Sequence, residues 1–350
     1  HGNELIFTTG IGHVGNEWLK SFTVSLKNKG AIGLVVNIGP YISSVPSQAI
    51  VFCEQNGFPL FTIPWKTRII DISYEFCRRI IANEKRESTI ADAFRGIIRN
   101  PATADDYSSM LNRAGFYDDS SYTVISLSIL RKSISITESV VRTTDMSLWR
   151  MLKKSGNHSS LFMKEGDLVA VRQNCSEEEI VMFCELLRPI AEQSADTEIY
   201  IGVSESVRGF AEISQAYEQS YAAMLTGRIK GKEHVFYRDI GLMKLIFGVK
   251  DKMILSSFAE ENLGVLHRYD SEKNTDYCSV LRKYLELNGS VLEAAAETGV
   301  HRNTINYKIR AIREILGREL DDHTKSMLML AYLIEDVLDI YDNLNGGNKQ

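Results

Sequence analysis

The side chains best suited to intermolecular hydrogen bonding crowd into one short stretch: Arg302, Asn303, Thr304, Asn306, Tyr307, Arg310 and Arg313. Amide and guanidinium groups pair bidentately with adenine and guanine edges in a major groove, and guanidinium and hydroxyl groups also hold phosphates. These residues can act together only if the backbone aims them the same way. Ile305, Ile309, Ile312 and Leu316 recur at helical spacing and form an apolar stripe. At about 100° per residue the opposite side holds Asn303, Tyr307 and Arg310, flanked by Arg302, Asn306 and Arg313. Arg302, Lys308, Arg310, Arg313 and Arg318 face a single acid, Glu314, although the whole chain carries a formal net charge of −5. The basic charge is therefore local, as groove contact by one element of an acidic body requires.

The flanking sequence supplies the elements such a helix needs. Residues 277–287 place Val280, Leu281, Tyr284 and Leu285 on one face, and Asn288-Gly289 ends that helix. Ser290 and Glu293 form a capping-box pattern, and Ala294, Ala295 and Ala296 keep the next short helix slim enough for a close crossing. Thr298-Gly299-Val300 is a tight turn, after which a third helix runs from about Arg302 to Leu316. The order predicts a helix-turn-helix over residues 276–318. A solvated surface helix accounts for the charge, but not for the slim helix and glycine turn before it. His301, at the helix entry, suits a cap or a phosphate contact better than acid–base work.

The run YLELNGSVLEAAAETGVHRNTINYKIRAIREILGREL resembles the C-terminal helix-turn-helix of PucR-type regulators, a purine catabolism regulator-like family related to the sugar-diacid regulators. Val300, His301, Arg302, Asn303, Thr304, Ile305, Tyr307, Ile309, Ile312, Leu316 and Gly317 carry the match. Upstream, IGVSESVRGFAEISQAYEQSYAAM is similar to the end of that family's middle domain, a distant relative of GGDEF cyclases. Cyclase chemistry needs acids that hold Mg²⁺ and a glycine-rich loop. Here the hairpin reads Lys164-Glu165-Gly166-Asp167-Leu168, with one glycine where the cyclase motif has two, and the strand TVISLSI has no carboxylate. The expectation is a degenerate, non-catalytic module with no metal and no catalytic residue. GNELIFTTGIG, GLVVNIGPY and FPLFTIP are similar to the family's N-terminal sensor domain, in which more sequence precedes the first of these runs. The chain opens without Met and directly into that run, so a domain lacking its first part is expected.

A second motif competes for the N-terminal region. Gly10-Ile11-Gly12-His13-Val14-Gly15 fits the GxGxxG dinucleotide fingerprint between a strand and a helix. The fingerprint also needs an acid at the end of the next strand for the ribose, and that place holds Asn37. Glycines that let the chain turn are the better reading, and no cofactor is expected. A small effector would sit at the carboxyl ends of parallel strands, lined by Thr8, Thr9, Gly10, Asn37, Gly39 and Trp65, each of which serves equally well as a turn or packing residue.

The fold expected is multidomain. An α/β N-terminal sensor with a parallel sheet spans 1–82, and the polar stretch Asn83–Thr89 reads as a junction opening a helical linker over 83–114. An α+β degenerate GGDEF-like middle domain spans 115–240, including a helix at 138–154 and a mostly antiparallel sheet buried on one face. An all-α C-terminal domain with the helix-turn-helix spans 241–345, and its last helix, Thr324–Tyr341, either caps that domain or pairs two copies. No apolar run reaches membrane-spanning length. The five cysteines form no CxxC pair, as for reduced thiols in a cytoplasmic protein, and His13, His158, His234 and His267 show no partner pattern. The function expected is a ligand-responsive regulator that binds double-stranded operator DNA, with a small metabolite as effector, and homodimeric because one helix-turn-helix covers only a half-site. The alternative is a nucleotide- or dinucleotide-binding enzyme, cyclase-like or NAD-dependent, which lacks its carboxylates.

Overall fold

The structure, a computed structural model, describes residues 4–13, 15–131, 158–192 and 197–346, so the helix expected at 138–154 lies outside the described residues. Two compact units emerge, His1–Ser88 and Thr89–Gln350.

In the first unit, three short apolar runs form a parallel sheet in the order β1 (Leu5–Thr8), β2 (Gly33–Ile38), β3 (Leu60–Pro64). Alternation along β2 sends Leu34 and Val36 into a core under helices α1 (Trp18–Asn28) and α2 (Ser47–Gln55), where Leu19, Ile42, Cys53 and Phe58 meet them. Val35 and Asn37 take the opposite side and are also buried.

Helix α3 (Ile69–Arg99) then runs unbroken from the first unit into the second. The junction expected at Asn83–Thr89 is therefore helical. Its charged residues are good helix formers with no Gly or Pro among them, so polarity marked an exposed helical surface and not a break. From Ile90 onward the helix is core: Ile90, Phe94 and Ile97 pack with Leu111 of α4 (Ala104–Ala114) and with Phe116. Residues 90–114 are thus part of the second unit's interior and do not serve as a linker.

The second unit is built on a mixed sheet, in the order β5 (Ser159–Lys164), β6 (Asp167–Gln173), β4 (Ser121–Arg131), β7 (Thr197–Val203), β9 (His234–Phe236), with β8 (Val207–Arg208) on β4. All pairings are antiparallel except β7 with β9. Helices cover both faces, where one was expected. Val124 and Val169 face α3 and α4, while Ile125, Leu127 and Ala170 face Ile180 and Phe183 of α5 (Glu177–Glu192). The signal for two-sided burial is β6 itself, every residue of which is buried. Helix α6 (Ile213–Lys230) lies so close to the sheet that a Cβ on Gly202 would sit 2.0 Å from the Ser220 carbonyl oxygen and 2.2 Å from the Met224 amide nitrogen. Beside it, the Ser126 and Ser220 hydroxyls hydrogen-bond at 2.7 Å.

The remaining elements are helical: α7 (Met243–Gly248), α8 (Lys252–Lys273), α9 (Tyr277–Glu286), α10 (Val291–Thr298), α11 (Arg302–Leu316) and α12 (Asp322–Gly346). Ala222 and Ala223 of α6 share a core with Met243, Leu255, Ile334 and Val337, which ties this bundle to the sheet. No helix among the described residues is long and apolar enough to cross a membrane.

Candidate nucleic-acid interface

Helices α9, α10 and α11 close on one apolar cluster. Val280, Leu281, Tyr284 and Leu285 come from α9, Ala294 from α10, and Ile305, Ile309 and Ile312 from α11. Asn288 and Gly289 both take positive φ, 52° and 80°, and so end α9 and reverse the chain. The Ser290 hydroxyl accepts the Glu293 N–H at 3.3 Å, which is half of the expected capping box, since the Ser290 N–H donates to the Leu287 carbonyl. Gly299, at φ +68°, ends α10, and His301 caps α11 by accepting the Asn303 N–H on Nδ1 at 3.3 Å.

Two further helices brace this unit. Leu263 and Leu266 of α8 and Leu328, Ala331 and Tyr332 of α12 join the same cluster, so the last helix caps its own chain's bundle. Polar contacts tie it at the edges. Arg282 makes a bidentate pair with Asp336, both bonds 2.8 Å, and stacks over Tyr332. His267 Nε2 meets Glu335 at 2.8 Å, and its Nδ1 lies 3.4 Å from Cys278 Sγ. His267, read as lacking partners, therefore has two. Burial first, then a hydrogen bond to Asp270, pushes the Cys278 thiol up to about 12, which suits a packing residue and not a nucleophile. The Asp270 carboxylate caps α9, taking hydrogen bonds from the Tyr277 and Cys278 N–H groups and the Thr275 hydroxyl.

The face of α11 away from this core is open. Arg302, Asn303, Thr304, Asn306, Tyr307 and Arg310 are all exposed, Tyr307 by 69%. Arg310 makes only an exposed 3.4 Å pair with Glu314 of its own helix, the kind of pair that contributes little. Arg313 is half-buried and reaches Glu319 at 3.5 Å. Two of the five basic residues counted in this stretch point elsewhere. Lys308 pairs with Asp276 at 2.6 Å, and Arg318 donates to the Asn262 carbonyl and side chain at 3.1 and 3.2 Å. Both are staples within the bundle. Their partners lie far off in sequence, so helical spacing alone could not remove them from the surface.

The six residues proposed to line an effector site all fall at the carboxyl ends of the three parallel strands. Thr8 ends β1 and Thr9 and Gly10 follow it, and the glycines Gly10, Gly12 and Gly15 all have positive φ, as turn glycines do. Gly39 lies under the Trp65 ring, where a Cβ would come within 2.5 Å, and Tyr41 packs against that ring at 5.7 Å. Asn37 is buried, and its Oδ1 has no hydrogen-bond partner. A groove of about 450 Å³ on this unit lies between α2 and β3, lined by Ile50, Glu54, Phe58, Leu60 and Thr62 among others, and none of the six residues lines it.

In the sheet unit, Asp167 opens β6 next to the hairpin turn and is 8% exposed. Burial raises its carboxyl above the usual range, opposed by a hydrogen bond from Ser128 and the charge of Arg228. Among the described residues no group of three or more His, Cys, Asp or Glu could hold a metal ion.

A slim helix, a glycine turn and an outward polar helix, carried on a mixed-sheet domain, define a multidomain helix-turn-helix protein. Comparison with known proteins gives the type. Residues 1–80 match the purine catabolism regulatory protein-like (PucR) family, and residues 277–334 match the PucR C-terminal helix-turn-helix domain. Residues 99–224 match a GGDEF-like domain. The chain is 25% identical over 146 residues to the proline-responsive transcriptional activator PutR of Bacillus subtilis (strain 168), covering 41% of this chain and 36% of that protein. It is 22% identical over 111 residues to the DNA-binding transcriptional activator AdeR of the same organism, covering 31% and 26%. These alignments span about a third or less of the curated relatives' own length. A solved structure, the regulator of polyketide synthase expression from Bifidobacterium adolescentis, is 18% identical, with 71% of this chain and 97% of that one covered, at a TM-score of 0.35.

Proposed function

We propose that this protein is a ligand-responsive transcriptional regulator that binds double-stranded operator DNA through α11. The observation that carries the reading is the two-sidedness of that helix, with Ile305, Ile309 and Ile312 buried and Asn303, Asn306, Tyr307 and Arg310 free to meet a groove. In this reading Asn303 and Asn306 read base edges, Arg310 and Tyr307 contact bases or backbone, and Arg302, Thr304 and Arg313 hold phosphates at the flanks. The protein works in the cytoplasm as a homodimer on two half-sites. It controls a catabolic operon, and the names of its relatives support a small nitrogen or carbon metabolite as effector, taken up by the N-terminal unit. The mixed-sheet domain is a non-catalytic relay, because Asp167 is turned inward and the β4 strand brings it no second acid.

The test is a mobility-shift titration of the chain against DNA from upstream of its own gene, with random duplex as competitor. Saturable binding that resists competitor is expected, and binding equal to that of random duplex refutes the reading. Incubation of the same preparation with GTP and Mg²⁺ should yield no cyclic dinucleotide. Turnover lost in Asp167→Ala would make the middle domain an enzyme.

A further inference from the structure

The face of the N-terminal sheet turned away from α1 and α2 carries a side chain whose chemistry is unused. Asn37 is 4% exposed, and its Oδ1 is buried with no hydrogen-bond partner. A buried amide oxygen without a donor is costly, and native folds seldom keep one without a use. Strand register sets its neighbours. Asn37 pairs with Ile63, and Thr8 pairs with Val36, so Thr9 and Ile63 flank Asn37 on this face. Gly39 and Trp65 come next after the paired ends Ile38 and Pro64, and the Trp65 ring lies over Gly39, where a Cβ would come within 2.5 Å. Tyr41 leans on that ring, with centroids 5.7 Å apart and planes tilted by 60°. Trp65 and Tyr41 thus form an aromatic corner at the end of the strand that holds Asn37, and they are 42% and 44% exposed.

We propose that this corner binds a small organic ammonium, its N–H donating to Asn37 Oδ1 and its charge lying against the Trp65 and Tyr41 rings, with the Trp65 ring turning off Gly39 to admit it. Both features present negative charge, the amide oxygen through its lone pairs and the rings through their faces. Their common complement is a group that donates hydrogen bonds and carries positive charge, and a protonated amine is that group. A carboxylate or phosphate would be repelled by both. An alcohol would satisfy Asn37 and gain nothing from the rings. The exposure of the corner leaves the cation part of its hydration, which a fully buried charge would forfeit. Half-buried Ile63 beside Asn37 offers a wall for an apolar body. Gly39 permits both ring positions, since a side chain there would occupy the ring's closed place. The proposal rests on the reading that the N-terminal unit takes up the effector, and it narrows that effector to an amine.

The whole chain is titrated by calorimetry at neutral pH with cyclopentylammonium chloride and, separately, with cyclopentanol, which has the same ring and no charge. Saturable binding of the ammonium is expected, at least about tenfold tighter than that of the alcohol. Equal binding of the two, or saturation with neither, overturns the proposal, and this comparison needs no substitution. Asn37→Leu and Trp65→Leu should each weaken the ammonium by about tenfold, while Trp65→Phe, which keeps an aromatic face, should stay within about threefold of the parent. Unchanged binding in Asn37→Leu refutes the anchor. The thermal midpoint of Asn37→Leu should equal or exceed the parent's, because an unpaired amide gives way to an apolar side chain of similar size. A lower midpoint would show the amide already engaged in the free protein and would also refute the anchor. Operator affinity that responds to a metabolite in a chain whose corner binds neither probe removes this site and leaves the ligand-responsive reading standing. Ammonium binding at the corner that leaves operator affinity unchanged keeps the site and removes that reading.

Discussion

Asp167 at the start of β6 and Asn303 on α11 occupy the two places where this chain sets out polar side chains in a recognisable motif, and the fold treats them in opposite ways. The hairpin draws Asp167 inward to a hydrogen bond from Ser128, with only 8% of the residue exposed. On α11 three isoleucines take up the interior, and Asn303, Asn306, Tyr307 and Arg310 face outward. A carboxylate turned into a core has lost the solvent access that a metal–triphosphate substrate would need. Amides and guanidiniums on a braced helix have no such obstacle, and their backbone is fixed before any partner arrives. Motif resemblance marks both places, and burial tells them apart.

The strongest way to break the comparison is to remove the bracing. Ile305→Ala should cost about 2–5 kcal/mol, because its side chain is fully buried and leaves a cavity among α9, α10 and α11. Urea denaturation measures this, and a loss below about 1 kcal/mol would mean that the helix is not anchored as described. On the open face, Asn303→Ala should leave the urea midpoint unchanged and cost about 1–3 kcal/mol of binding at one base pair of the operator. Competition with operators mutated one position at a time gives the answer, and unchanged discrimination at every position would remove Asn303 from base reading.

Two acids sharpen the comparison through pH. For Asp270 burial works upward, but the hydrogen bonds from the Cys278 N–H, the Thr275 hydroxyl and the Tyr277 N–H outweigh it and hold the carboxyl below its ordinary 3.8. Its folded pKa is depressed, so its contribution is present above that ordinary value and is lost as the pH falls through the folded value. Asp270→Asn should therefore cost about 0.5–2 kcal/mol at neutral pH, the usual range for a lost helix cap, and progressively less in acid. Asp167 is shifted the other way, so its contribution is present below the ordinary value and is lost as the pH rises through the folded one. Asp167→Asn should leave neutral stability equal or higher. Urea midpoints of parent and variants across an acid-to-neutral series give the two slopes, and slopes of the same sign would contradict the assigned environments.

The smallest effect on stability belongs to Arg310→Ala, within about ±0.5 kcal/mol because its pair with Glu314 is exposed. Its binding effect should be uniform across sequences, with the salt slope of log K reduced by about 1. A sequence-selective loss would instead make Arg310 a base reader.

The helix-turn-helix is legible in the sequence because its signals are local. The isoleucine stripe, Asn288-Gly289, Ser290 and Gly299 each act within a few residues of their own position. What escaped depends on distant partners. Lys308 and Arg318 look like groove residues until Asp276 and Asn262 appear beside them in the fold. His267 finds Glu335 from a helix far along the chain. The polar run 83–89 matched a junction by composition, yet it lies within one helix whose end is set only at Asn100 and Pro101. The same limit applies to the N-terminal candidates. Strand order placed their backbone at the carboxyl edge of the sheet, while the packing there buries Asn37 and closes the Trp65 ring over Gly39.

Gly202 has a consequence for how the second unit can move. With no side chain between β7 and α6, backbone rests on backbone, and neither can slide past the other without a steric clash. The far side of α6 is embedded with Met243, Leu255 and Val337 in the bundle that bears α11. Helix α6 is thus a party wall, shared by the sheet on one side and the helices on the other. Whatever displaces the sheet must carry the wall and its second tenant along, so the sequence boundary between them is no hinge.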